Sequence, residues 1–233
     1  MSNKGSIFTS VALFLGLTVL SISIYKSVEN YKMANRVVTV KGLAETEKKA
    51  NLAIWPIVFK VGSDNLNTLY SDIENNKKII LSFLEKKGFS KKEISTSTPA
   101  IDDNMYYNYN ANQGFRYKST LTITVYTDKI DSVVNATKEM SSLIKNGVKL
   151  AENYYGQTQF IFSELNDIKP EMIATATKNA REVAEKFAND SQSKLGKIKQ
   201  ASQGQFSIRD RDSNTPYIKT IRVVSTISYF LVD

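Results

Sequence analysis

Residues 50–88 read ANLAIWPIVFKVGSDNLNTLYSDIENNKKIILSFLEKKG, and their apolar pattern changes period once. Ala50 to Val61 is apolar on both faces, the pattern of a covered strand. Its Pro56 cannot donate to a ladder and so marks a bulge or an edge. From Leu66 the period becomes helical: Leu66, Leu69, Tyr70, Ile73, Ile80, Leu81 and Leu84 share one face as far as Lys87. Ser63 or Asp64 can cap that helix, and Gly88 can close it in the left-handed conformation. Shifted by 104 residues, the strand falls on Tyr154–Leu165, the helix on Pro170–Gln192, Ile94 on Ile198 and Ile123 on Ile227. The order strand, long helix, strand, strand is therefore written twice, as a pattern and not as residue identity.

The other elements fit between and around these copies. Val37 to Val40 is a short β-branched strand. Tyr117 to Tyr126 alternates, with Tyr117, Leu121, Ile123 and Val125 on one face and Thr120, Thr122 and Thr124 on the other. A linking helix spans 129–146, with Ile130, Val133, Val134, Thr137, Met140 and Ile144 on one side and Gly147 after it. A third helix runs from Ile168 to Leu195, tolerates Pro170 in its first turn, and precedes Gly196. Ala176, Ala180, Ala184 and Ala188 form a ridge of small side chains along it, suited to close packing on a sheet. Strands over Gln157–Leu165, Ile198–Arg209 and Ile218–Val232 complete an α+β fold. Its two similar β-α-β-β halves, about 36–127 and 148–233, are joined by the helix at 129–146.

At the N-terminus, Ile7 to Tyr25 is an uncharged, nineteen-residue apolar run. As a helix it reaches about 28 Å, close to the roughly 30 Å hydrocarbon core of a bilayer. Lys4 precedes it and Lys26 follows. The expectation is a 1–6 cytoplasmic leader, a 7–25 transmembrane signal anchor, a 26–35 stalk and a periplasmic domain over 36–233, anchored in the inner membrane. The alternative is a cleaved signal peptide, with Ser21 and Ser23 before the cut, and a soluble periplasmic product.

Composition excludes more than it names. The 233 residues contain no cysteine and no histidine. Disulfides, Cys or Cys/His zinc sites, thiol nucleophiles and histidine-based triads are thereby removed. No phosphate-binding loop, dinucleotide fingerprint or nucleophile elbow occurs. The net charge is +8, without a run of five basic residues. Lys77-Lys78, Lys86-Lys87 and Lys91-Lys92 cluster around one helix and read as a solvated face. Nucleic acid is not expected as a partner, and neither enzyme activity, a cofactor nor a metal is expected.

Each half ends in a hairpin with a polar tip. The first tip, 102–114, carries Tyr106, Tyr107 and Tyr109 among asparagines, large contact surfaces with hydroxyl handles. The second holds Arg209, Asp210, Arg211 and Asp212. In an extended strand its arginines would face one way and its aspartates the other, suiting salt bridges to another chain. These seven residues are the candidate contacts for a second subunit or an unidentified envelope ligand. A cation site from Asp210 and Asp212, or from Asp102 and Asp103, would need four or more further oxygens.

From about Arg36 onward the chain resembles the SIMPL-domain family, bacterial periplasmic or outer-membrane immunogenic and oxidative-stress defence proteins. These are related to an animal signalling molecule that associates with a mouse Pelle-like kinase. Val38-Thr39-Val40-Lys41-Gly42 is similar to the family's opening strand, Val-x-Val-x-Gly. Gly88-Phe89, followed by Glu93-Ile94-Ser95-Thr96, resembles its helix-to-strand passage. The four alanines and Leu195-Gly196 resemble its alanine-rich helix and Leu-Gly close. Ala44 stands where a second glycine is common, and Ala50-Asn51 where Pro-Asp is common. The resemblance implies an α+β fold, an exported location, homo-oligomerisation and a link to envelope or oxidative stress tolerance. It implies no catalytic residues. The expected function is a non-enzymatic, membrane-anchored, self-assembling protein; the alternative is a periplasmic binding module for a cell-wall or small envelope ligand.

Overall fold

The computed structural model describes residues 3–34, 36–106, 114–151 and 157–232, and within them all side chains except those of 3–12, 29–34 and Tyr106. A helix, α1 (Asn3–Ala34), is followed by β1 (Val37–Lys49), β2 (Leu52–Ser63), α2 (Leu66–Lys86), β3 (Ile94–Thr96), β4 (Ala100–Asp103) and β5 (Tyr117–Thr127). Then come α3 (Ile130–Lys138), α4 (Ser141–Lys145), β6 (Gln159–Ile161), α5 (Leu165–Asp190), β7 (Lys194–Gln203), β8 (Ser207–Asp210) and β9 (Ile218–Val232). Two compact units interleave along the chain. One holds Met1–Thr46, Asn166–Ile208 and Ile221–Asp233, and the other Glu47–Leu165 and Arg209–Thr220.

The expected repeat is present as element order, α+β in class, with one exchange. β2-α2-β3-β4-β5 corresponds to β6-α5-β7-β8-β9. One sheet runs β3-β5-β2-β6 with β4 also on β5, and the other runs β1-β9-β7 with β8 also on β9. The second copy's first strand, expected over Gln157–Leu165, shrinks to β6 and pairs with β2. β1 takes the vacated place beside β9, which is why it runs thirteen residues and not the four expected.

In the unit built on the first of these sheets, β2 and β5 pair from Ala53↔Thr127 to Ser63↔Tyr117. Trp55, Ile57 and Phe59 join Leu121, Ile123 and Val125 in a core covered by Leu69, Ile73, Ile80 and Leu84 of α2. Pro56 lies between two short pairings on the β6 side, where the even-numbered Val58 and Lys60 bond Ala151 and Lys149. Its missing N–H therefore faces a gap in the ladder. The cap of α2 is Asn65, whose Oδ1 accepts the N–H groups of Asn67 and Thr68 at 2.9 and 3.2 Å. Ser63 and Asp64 are engaged otherwise, accepting from the backbone of Asn65 and Arg116. Gly88 is left-handed, at φ 87°, as the closing position requires.

The linking helix is two helices. Glu139 and Met140 donate to residues three back, Ala136 and Thr137, and the tightened turn shifts the helical phase. Leu143 consequently enters the core, and Ile144 is exposed. α5 also ends earlier than expected. Gln192 adopts φ 55°, and Ser193 N–H returns to Ala188 O at 2.9 Å, a left-handed close that frees Leu195 for β7.

In the other unit, α5 lies against its sheet through Ala176, Ala180, Ala184 and Ala188, all fully buried. Gly42 of β1 is the point of closest approach. A methyl group there would overlap the carbonyl oxygen of Ala176 and stand 2.5 Å from the amide nitrogen and 2.8 Å from Cβ of Ala180. Asn179 Nδ2 donates to Leu43 O across the same contact at 2.8 Å.

The N-terminal expectation is corrected. Among the described residues no helix is long and apolar enough to cross a membrane. α1 contains Gly16, Thr18, Ser21, Ser23 and the charged Lys26. The transmembrane helix and signal anchor over Ile7–Tyr25, the membrane as a partner and the inner-membrane location are accordingly not retained.

Glu93 fastens the α2-to-β3 passage. Its carboxylate accepts the Thr127 hydroxyl at 2.5 Å, the Ser90 N–H at 2.7 Å and the Lys129 ammonium at 3.0 Å. The Thr127 bond foremost, with those from Ser90 and Lys129, holds its pKa near 2 against the opposing effect of burial.

Two outcomes follow from these contacts. Gly42→Ala should lower stability in urea denaturation by about 3 kcal/mol. Adding Ala180→Gly should not restore it, because the overlap is with the backbone of α5. Glu93→Gln should cost about 1.5–3 kcal/mol at neutral pH. A depressed carboxylate pKa stabilises fully above the unfolded value. The gap between variant and parent should therefore narrow as pH falls from about 4.5 toward about 2. A gap unchanged at about pH 3 would show that the charge does not carry the contact.

Candidate functional site

The second hairpin tip turns its charges back on its own unit. β8 ends at Asp210, so the expected alternation of arginines and aspartates stops there. Asp210 pairs with the ammonium of Lys219, whose side chain is only 9% exposed. Arg211 donates from Nε to Asp212 at 3.1 Å and from a terminal nitrogen to Thr215 Oγ1 at 2.9 Å, and it lies 3.5 Å from Glu47. Asp212 accepts the backbone N–H groups of Asn214 and Thr215, both at 2.8 Å, and the Thr215 hydroxyl. The Thr215 hydroxyl and Arg211 hold its pKa near 2. Arg209 is exposed and makes no ion pair among the described residues.

The first tip has a fixed neck. Arg116 grips Asp103 through Nε at 3.2 Å and a terminal nitrogen at 3.1 Å, and its guanidinium lies 4.7 Å from the Tyr117 ring centroid. The Arg116 bond keeps the Asp103 carboxyl below its ordinary pKa. Asn104 donates to Phe115 O at 2.8 Å, and the Phe115 ring rests on the open backbone of Gly62. Tyr107 and Tyr109 lie outside the described residues, as does the side chain of Tyr106. Among the described residues no three Asp or Glu side chains gather as a metal site.

A groove of about 660 Å³ lies between α2 and the α3–α4 turn. Its floor is Ile79, Phe83 and the buried Leu143. One wall carries Lys78, Ser82 and Lys86, which fall on one line because they are four residues apart on α2. The other carries Glu139, Ser142 and Asn146. Lys87 pairs with Glu139 and lies 5.8 Å from the centroid of the Phe83 ring, so these two charges cancel. Lys77 is turned to Glu74 at 3.5 Å. Lys78 and Lys86 have no ion pair among the described residues, and they set the sign of the groove.

The sequence shows these lysines only as a solvated face. The line 78, 82, 86 beside 79, 83, 87 is a visible signal, but the opposite wall exists only because the linking helix breaks at Glu139-Met140.

The buried Lys219 gives a test of the tip. Asp210→Ala should destabilise the fold by about 3 kcal/mol, since it leaves a buried ammonium unpaired. Arg209→Ala should be neutral within about 0.5 kcal/mol. Equal, small effects in thermal unfolding would mean that Lys219 finds water or another acceptor.

No curated protein matches the chain. The family model SIMPL, described as a protein of unknown function (DUF541), matches residues 38–226. That span includes β1 with Gly42, the alanine ridge of α5 and the Leu195-Gly196 step. The chain belongs to the SIMPL family.

Proposed function

We propose that this protein is a non-enzymatic binding module, and that the groove between α2 and α4 receives an anionic cell-wall or small envelope ligand. The observation that carries the reading is the pair Lys78 and Lys86, two ammonium groups with no ion pair among the described residues, beside an apolar floor. Some lysines of the same unit are matched, Lys49 with Asp131, Lys129 with Glu93 and Lys219 with Asp210; among those without an ion pair in the described residues, Lys78 and Lys86 are set apart by lining the groove together. A cleft that combines apolar surface with a few convergent polar groups is the usual form of a small-ligand site. The tips are a second proposed contact surface, through Tyr106, Tyr107, Tyr109 and Arg209. Asp210, Arg211 and Asp212 act there as the supports of the loop.

Thermal unfolding in glucuronate, glycerol 3-phosphate or glucose tests the groove. A ligand that binds only the folded form raises the midpoint, by about 2–4 °C for each kcal/mol of linkage. Both anions should raise it and glucose should not. The Lys78→Gln, Lys86→Gln double variant should lose the rise while unfolding at the parent midpoint without solute. No lysine-dependent rise with either anion would overturn the reading.

A further inference from the structure

We propose that the groove selects an extended glycan bearing a carboxylate on alternate sugar rings, an inference that rests on the anion-binding reading above. Three features of the lining point to this class. Lys78 and Lys86 are eight residues apart on one helix, which sets their backbone positions about 12 Å apart along the axis. Ser82 stands between them, a hydroxyl and not a cation. The wall therefore reads ammonium, hydroxyl, ammonium. A polymer charged at every unit would set an anion against Ser82. A chain with charge on every second unit sets a carboxylate against each lysine and a neutral ring against the hydroxyl.

The second feature is the opposite wall. Asn146 can both donate and accept hydrogen bonds, and Ser142, whose hydroxyl donates to Glu139 O at 2.8 Å, can accept one, which suits sugar hydroxyl and acetamido groups. A phosphate chain, rich in acceptors, would leave the Asn146 carbonyl without a donor. The third feature is the floor. Ile79 and Phe83, both half-buried, offer apolar surface to the C–H face of a sugar ring, which a phosphate chain lacks. The Lys87–Glu139 pair stands on the lining as a neutral unit, so the net attraction comes from Lys78 and Lys86, which have no ion pair among the described residues.

Calorimetric titration of the full chain at constant ionic strength tests the inference with three probes. Hyaluronan tetrasaccharide carries a carboxylate on alternate rings. Chitotetraose has as many rings and no charge. Linear tetraphosphate has a charge on every unit. Hyaluronan tetrasaccharide should bind about tenfold or more tightly than either comparison probe. Lys78→Gln and Lys86→Gln should each weaken it about fivefold, and Lys77→Gln, whose lysine faces Glu74, should not. Tetraphosphate binding as tightly, and lost in the same variants, overturns the glycan inference and leaves the anion site standing. Chitotetraose binding as tightly overturns it by removing the need for charge. If none of the three binds while glucuronate still shifts the midpoint through Lys78 and Lys86, the inference alone falls. If that shift is absent as well, the binding reading falls with it.

Discussion

The contact between Gly42 and the backbone of α5 constrains the unit formed by β1, β9, β7 and α5 more tightly than any other. A helix ordinarily packs on a sheet through side chains, at a distance that those side chains set. Here the β1 backbone reaches the peptide groups of Ala176 and Ala180, and there is no room for a Cβ. Two conditions must hold together: no side chain on the strand, and only methyl groups on the helix. Ala176, Ala180, Ala184 and Ala188 meet the second along the C-terminal half of α5. The Asn179 amide bonded to Leu43 O then fixes the helix along the strand. With β1 held in this way, β9 gains a partner on its open side.

The same contact explains why parts of the fold are legible in the sequence and others are not. Gly42 and the alanine ridge can each be seen as a motif, yet they are some 130 residues apart, and nothing local shows that they are two sides of one interface. α2, β5 and the close at Gly88 are legible because burial on one face writes a period into the residues themselves. The exchange of β1 for β6 is not, because either strand satisfies the same local pattern. The break in the linking helix is hidden for a related reason. Ile144 and Leu143 are equally apolar, and only the phase set by the i−3 bonds of Glu139 and Met140 decides which one is buried. At the N-terminus hydropathy outlines an apolar run, but among the described residues no helix is long and apolar enough to cross a membrane.

For the charged residues, sequence gives position and sign but not the partner. Arg211 and Asp212 look available to another chain when read as a strand, but a turn folds them onto each other and onto Thr215. Lys219 shows nothing unusual in sequence and is the most deeply enclosed lysine among the described residues, with Asp210 as its counter-charge. Lys78 and Lys86 are the reverse case. They look like any solvated pair until α4 supplies a wall opposite them. The useful distinction among many surface charges is therefore between those whose partners are built into the fold and those without one. Only the second kind has electrostatic attraction left for a ligand.

The amino-acid inventory then determines how such a site responds to its surroundings. Without histidine or cysteine, the chain has no side chain whose ordinary pKa lies between pH 5 and 8. The groove's positive sign rests on Lys78 and Lys86. The most perturbed carboxylates, Glu93 and Asp212, have pKa values near 2 and stay ionised. Neither of these two carboxylates therefore switches with pH under ordinary conditions. Ionic strength is the variable that acts on exposed ammonium groups, since salt screens them over about 8–10 Å. On the proposed reading, the affinity of an open groove of this kind for a charged polymer falls as ionic strength rises, because its two ammonium groups are exposed to the screening salt.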